Sequence, residues 1–191
     1  MPSTTRQDLL ELGLGLLLKH GYTDLGVATL LEHAGVPKGS FYHHFQSKEH
    51  FGLEAIDLYM HGVHAALDAA FADDGRAPLE QIRQFFTTVA AGYKGEGYLG
   101  CLLGGLGQEL SGISPAFRKK VEGCFTVIAR RLEQALTRAR DNGQLRAGVD
   151  PRELADLLVN CWEGAALRSR LRRSASPLDQ MLDFYFSAIT L

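Results

Sequence analysis

The chain has 191 residues, 46% of them hydrophobic, which is ample for one large packed domain or for a small module joined to a larger one. Its formal charge of -2 and isoelectric point near 6.4 exclude a surface that is basic throughout, so any grip on nucleic acid must come from local placement. No apolar run approaches the roughly 20 residues that cross a bilayer, because the longest, Leu12 to Leu18, is broken by Gly13 and Gly15, and no membrane partner is expected.

Apolar residues recur at spacings of three and four along the chain, and alternating β-branched runs are missing, which predicts an all-α fold of about nine helices. The first is expected from about Thr4 to His20, with Leu9, Leu10, Leu14, Leu17 and Leu18 as its buried stripe and Gly21 as a left-handed stop. Two short helices follow, over roughly Val27 to Ala34 and Lys38 to Phe45, separated by the tight turn Gly35-Val36-Pro37. Ser47 opens a long helix to about Ala72, and Asp73 to Pro78 reads as a loop from which the next helix restarts and runs to Tyr93. After Gly95-Glu96-Gly97 a glycine-rich helix is expected from about Leu99 to Leu110. Ser114-Pro115, Asp150-Pro151 and Ser176-Pro177 are cap-and-proline starts for the remaining helices, and Asn142-Gly143 closes the first of these.

Acidic Asp8 and Glu11 inside the first apolar stretch argue against a cleaved signal, so a cytoplasmic location is expected. Cys101, Cys124 and Cys161 are odd in number and widely spaced, which fits neither a disulfide framework nor a CxxC zinc site. His61 and His64 lie three apart on one helix without a third ligand in view, and no metal or cofactor is expected.

A short helix, a glycine turn and a second short helix within the first fifty residues have the form of a helix-turn-helix, whose second helix enters the major groove of DNA. Phe41 and Phe45 lie four apart and anchor that helix inward. Lys38, Ser40, Tyr42, His43 and His44 are then left for phosphates and base edges, and Gly39 lets the backbone approach the duplex.

The run Gly35-Val36-Pro37-Lys38-Gly39-Ser40-Phe41-Tyr42-His43-His44-Phe45, followed by Ser47-Lys48-Glu49, resembles the signature of the tetracycline-repressor (TetR) family. The likeness by motif covers roughly residues 6 to 56 and includes Gly21-Tyr22 and the buried Val27 and Leu30. It implies a dimeric transcriptional regulator with DNA contacts from Lys38, Gly39, Ser40, Tyr42, His43 and His44, and a phosphate contact from Lys48. Where the family commonly has a Thr/Ser cap and a polar residue before the turn, this chain has Leu25-Gly26 and Ala28. Thr29 is left as the main polar candidate of that helix.

The resemblance divides the chain into a reader over 1–50 and an effector-binding and dimerisation body over 51–191. The helix from Pro151 offers Leu154, Leu157, Leu158, Cys161, Trp162 and Ala165, and the last helix offers Leu178, Met181, Leu182, Phe184, Tyr185, Ala188 and Ile189. These faces serve either a four-helix homodimer contact or the core of one subunit. Glycines in a helix cost about 1 kcal/mol each relative to alanine, so the stretch Gly100 to Leu110 needs a compensating reason. Cys101, Gly104, Gly105 and Gln108 are expected on one face that a small molecule can reach, with the Cys101 thiol near a helix N-terminus that favours thiolate.

This stretch, with Trp162-Glu163-Gly164-Ala165, resembles a branch of TetR repressors that answers electrophiles or small unsaturated or carbonyl compounds through a cysteine. The resemblance implies effector sensing by Cys101, Gln108 and Trp162, whereas Cys124 and Cys161 are expected to be buried and inert. Arg168, Arg170, Arg172 and Arg173 are read as cations favoured at a helix C-terminus. The alternative is a helical enzyme using Cys101 as nucleophile with His61 or His64 as base, which leaves the N-terminal motif unexplained.

Overall fold

The computed structural model describes residues 6–37, 39–72 and 75–190. Among these residues the elements are nine helices: α1 (Arg6–Asp24), α2 (Val27–Ala34), α3 (Gly39–His44), α4 (Lys48–Phe71), α5 (Pro78–Gly95), α6 (Leu102–Leu110), α7 (Pro115–Asp141), α8 (Pro151–Arg172) and α9 (Ser176–Ile189). An isolated antiparallel bridge joins Leu145 to Thr190. Met1–Val63 with Leu102–Glu122 form one compact unit, and His64–Cys101 with Gly123–Leu191 form the other. Helices α4 and α7 therefore contribute residues to both.

In the first unit the buried stripe of α1 is Leu9, Leu10, Gly13, Leu16 and Leu17, which differs from the stripe expected from the leucines alone. The reason is Gly13. The Phe51 ring lies so close that a Cβ at Gly13 would sit 2.2 Å from its Cζ, so the inward position falls on a residue without a side chain and Leu14 and Leu18 rotate to half-buried positions. Phe41 and Phe45 are buried as expected and close an aromatic cluster with Phe51, the ring centroids standing 5.1 to 5.6 Å apart. Between α2 and α3, Gly35 takes the left-handed conformation (φ 65°) that the turn needs. The Ser47 hydroxyl caps α4 by accepting the His50 N–H at 3.0 Å.

Helix α1 does not stop at Gly21 but is interrupted there, because Gly21 holds φ 79° and ψ 176°, a conformation open essentially to glycine alone. The break turns the N–H groups of Tyr22 and Thr23 toward the Glu109 carboxylate of α6, which accepts one on each oxygen, that of Tyr22 at 2.9 Å. This corner ties the helix before the reading motif to α6, and the two helices pack along one another.

In the second unit α8 and α9 pair extensively, with Leu154, Leu158, Trp162, Ala165 and Ala166 buried against Leu178, Leu182, Tyr185, Phe186 and Ile189. The Tyr185 hydroxyl donates to the Leu154 carbonyl at 2.8 Å, satisfying the one polar atom that the pairing buries on this ring. Asp150 caps α8 by accepting the Arg152 N–H at 2.7 Å, with Pro151 in the first turn, as the sequence predicts. Arg83 of α5 reaches α9, bonding Asp183 at 2.9 Å and lying 4.7 Å over the Phe186 ring. The apolar residues of the last two helices are thus shared between core and surface. Leu157 (49% exposed), Leu171 (69%) and Phe184 (75%) stay outside.

Gly21→Ala is expected to destabilise the chain by about 2 kcal/mol, because an alanine resists that backbone conformation and its Cβ would meet a Glu109 oxygen at 3.0 Å. Glu109→Ala, which leaves two N–H groups to partly exposed surroundings, should cost about 1 kcal/mol. Urea denaturation of both variants checks this, and a Gly21→Ala midpoint equal to that of the parent would contradict it.

Candidate functional site

Two clusters carry the chemistry anticipated from the sequence, one in each unit. In the first, α2 and α3 pack together, and burial of Leu30, Leu31, Phe41 and Phe45 directs the remaining side chains outward. Tyr42 is 66% exposed and meets the Phe41 ring edge-on, at 5.3 Å between centroids. Thr29, Gly39 and His43 are exposed, and Ser40 and His44 are half-buried, the two histidine rings standing 5.1 Å apart. The anticipated contact from Lys38 lies outside the described residues.

The basic groups beside this surface are engaged within the protein. Arg6 pairs with Glu54, which His50 also reaches at 2.7 Å, and its guanidinium lies 5.3 Å from the Phe45 centroid. Lys48 lies 4.4 Å over the Tyr22 ring and 3.4 Å from the Thr23 carbonyl. Burial lowers its pKa, opposed by the charges of Glu109 and Asp24. Glu109 responds in turn. Burial would raise its carboxyl, but hydrogen bonds from the Thr23 side chain and the Tyr22 and Thr23 backbone, with the Lys48 charge, hold it below its ordinary value.

In the second unit the approach to Cys101 is not the helix expected from Leu99. Gly97 (φ 77°), Tyr98 (φ 61°) and Gly100 (φ 83°) are left-handed, which delays α6 until Leu102. Cys101 therefore precedes the helix instead of sharing a face of it with Gly104, Gly105 and Gln108, and Gln108 is exposed on α6 in the first unit. Trp162 is buried between Phe86, at 4.7 Å between centroids, and Tyr93, at 5.9 Å. The residue after it, Glu163, is the partner that sequence reasoning missed: its carboxyl is hydrogen-bonded to the half-buried Cys101 thiol. Burial pushes Glu163 up to about 7, and the Cys101 bond acts against that shift.

Of the other thiols, Cys124 is buried as expected and Cys161 is half-buried. His61 is exposed and His64 half-buried. Among the described residues no group of three or more His, Cys, Asp or Glu side chains is arranged to hold a metal, and no helix is long and apolar enough to cross a membrane.

Residues 9–55 match the family described as bacterial regulatory proteins, tetR family, and residues 78–185 match the tetracyclin repressor-like C-terminal domain. The chain is 40% identical over 177 residues to the transcriptional regulator AcuR of Cereibacter sphaeroides, covering 92% of this chain and 81% of that one. It is 32% identical over 179 residues to the HTH-type transcriptional repressor NemR of Escherichia coli K12, covering 93% and 90%. A crystal structure of a regulatory protein TetR from Rhodobacter sphaeroides superposes with a TM-score of 0.93 at 37% identity, covering 98% of this chain and all of that one. These relatives are regulators, not enzymes, so the alternative of a helical enzyme built on Cys101 falls away. The reading helix found in the fold and the two family matches agree: the chain is a DNA-binding transcriptional regulator and belongs to the TetR family.

Proposed function

We propose that the chain is a cytoplasmic homodimeric repressor, released from a palindromic operator when a small electrophile adds to Cys101. The observation that carries this reading is the half-buried Cys101 thiol immediately ahead of α6, hydrogen-bonded to the half-buried Glu163 carboxyl. A solved structure of E. coli NemR, 30% identical over 97% of this chain with a TM-score of 0.86, is described as the reduced form, which supports a thiol-based signal here. The effector reading rests on Cys101 and on Trp162, whose ring lies beside Glu163 in the chain. The exposed Gln108 adds nothing to it.

Residues 1–50 would serve as the reader, contacting DNA through Thr29, Lys38, Gly39, Ser40, Tyr42, His43 and His44, with Lys48 supporting the Tyr22 corner as well as reaching a phosphate. Residues 51–191 would sense and dimerise. Exposed Leu157, Leu171 and Phe184 supply the apolar face by which α8 and α9 of two subunits form a four-helix contact. Such a dimer holds its reading helices about 34 Å apart, one turn of DNA. An adduct adds volume at the start of α6, and the far end of that helix carries Glu109, which holds the corner beside the reader. Movement of α6 favours a spacing of the reading helices that no longer fits the operator.

Tyr42→Ala should weaken operator binding at least ten-fold in fluorescence anisotropy with helical content unchanged, since the ring contributes little to the core. Lys48→Ala should lower the slope of log affinity against log salt by about one and also lower the unfolding midpoint, because Lys48 has partners inside the reader. If both variants bind as the parent does, the reading surface lies elsewhere.

Cys101→Ser should bind the operator normally but fail to release it on exposure to a small thiol-reactive aldehyde or quinone. Gel shift with mass-spectrometric mapping of adducts checks this. Release that persists unchanged in Cys101→Ser would show the signal to be a reversible ligand.

A further inference from the structure

We propose that Glu163 is the proton carrier of Cys101, taking the Sγ proton as the sulfur attacks an α,β-unsaturated carbonyl compound and returning it to the adduct. The inference rests on the reading of Cys101 as the effector-reactive thiol and adds the group that completes the reaction. Half-buried Glu163 stands in series on α8 with the buried Ala155, Val159 and Ala166, so a carboxyl occupies a place where the packing calls for an apolar side chain.

The loop bearing Cys101 is fastened to the end of α8 and to α5. Arg173 Nη1 donates to the Gly97 carbonyl at 2.6 Å, and the Tyr98 N–H donates to the Tyr93 carbonyl at 2.6 Å. Gly100 packs against α8 so that a Cβ there would lie 3.7 Å from both the Ala166 carbonyl oxygen and Arg170 Cδ. This fastening holds the thiol on the carboxyl. The ionisable groups on the elements that pack here include Tyr98 in the loop, Arg170 and Arg173 at the end of α8 beside Gly100 and Gly97, and Tyr93 of α5 against Trp162, and the shift of Glu163 is set by burial and by Cys101.

Burial keeps the Glu163 carboxyl half-ionised near pH 7, the condition in which one group accepts a proton and gives it back with least loss in either direction. In the step, the Sγ–H bond breaks and its proton passes to a Glu163 oxygen while a sulfur lone pair forms the S–C bond at the β-carbon. The alkene π pair becomes a double bond between the α-carbon and the carbonyl carbon, and the carbonyl π pair moves onto oxygen to give an enolate. The Glu163 carboxyl then protonates the α-carbon and becomes a carboxylate again, so no oxidant or reductant is consumed. Below pH 7 the carboxyl is already protonated and cannot accept, so the rate should climb through about 7 and then level.

The test uses the full chain with acrylamide, which does not titrate in this range, following Cys101 adduct formation by mass spectrometry from pH 5.5 to 9. The parent should reach half its maximal rate near pH 7. Glu163→Gln should lose that step, react at least ten-fold more slowly at pH 7 and keep rising beyond pH 8, near the ordinary thiol value of about 8.5. Superposed profiles for parent and Glu163→Gln would overturn the role of Glu163 while leaving Cys101 as the sensor. A parent that releases DNA with Cys101 unmodified would overturn both. Should Glu163→Gln fail to fold, the parent profile decides alone, since a half-maximal rate above pH 8 excludes Glu163 as the acceptor.

Discussion

The Glu109 carboxylate on the N–H groups of Tyr22 and Thr23 is the interaction around which the reading half is arranged. A helix broken in its last turn exposes donors that would otherwise lie in the ladder, and a buried or half-buried donor left unmade costs more than a bond gained. Gly21 makes the break and Glu109 fills it. Lys48 completes the corner by covering Tyr22 and reaching the Thr23 carbonyl, while Tyr22 in turn packs edge-on against Phe117 at 4.9 Å. One carboxylate thereby joins α6, the approach to the reading motif and the first residue of α4. The cations Arg6 and Lys48 each have partners inside the protein, and Tyr42 leads the exposed face of α3.

Glu163 shows the opposite balance. A carboxyl whose pKa is raised from 4.5 to about 7 is disfavoured in its ionised form by the fold. The sign follows from linkage: this group favours the folded state most fully below its unfolded value, and the advantage is lost as pH rises through about 7. A half-buried acid whose ionised form the fold disfavours does not serve stability at neutral pH, where an apolar residue at the same place on α8 would. Retaining it is intelligible if the carboxyl has work to do on the thiol, and that is the logic by which perturbed groups mark functional sites.

Much of this fold is legible in the residues themselves because its signals are local. The Asp150 cap, the Ser47 hydroxyl at the start of α4, the Gly35 turn and the inward pair Phe41 and Phe45 each depend on neighbours within four positions. Other features depend on distant partners. Gly13 belongs to the buried stripe only because the Phe51 ring lies on it, and Glu109 gains its role from groups 86 and 87 residues away in the chain. Cys101 was expected on a helix face, but the left-handed run at Gly97, Tyr98 and Gly100 moves it outside the helix, and glycine spacing alone does not reveal that. The Glu163 signal was present in part: an acid in register with Ala155, Val159 and Ala166 is an interruption of an inward stripe, visible once the helix is placed.

The apolar content of α8 and α9 illustrates a limit of periodicity as evidence. Both readings of these faces, subunit core and contact between subunits, draw on the same hydrophobic residues, and the structure buries some of them and leaves others exposed. Leu158, Trp162, Leu182 and Tyr185 close the core, so the pairing of α8 with α9 within one chain is complete without Leu157, Leu171 and Phe184. A lone exposed leucine needs no explanation, but a phenylalanine 75% exposed on the partner helix of an equally bare leucine is surface that folding has not used. Because the core does not need these side chains, their exposure is a constraint separate from folding, and association of two chains through them is what the proposed dimer requires of this surface.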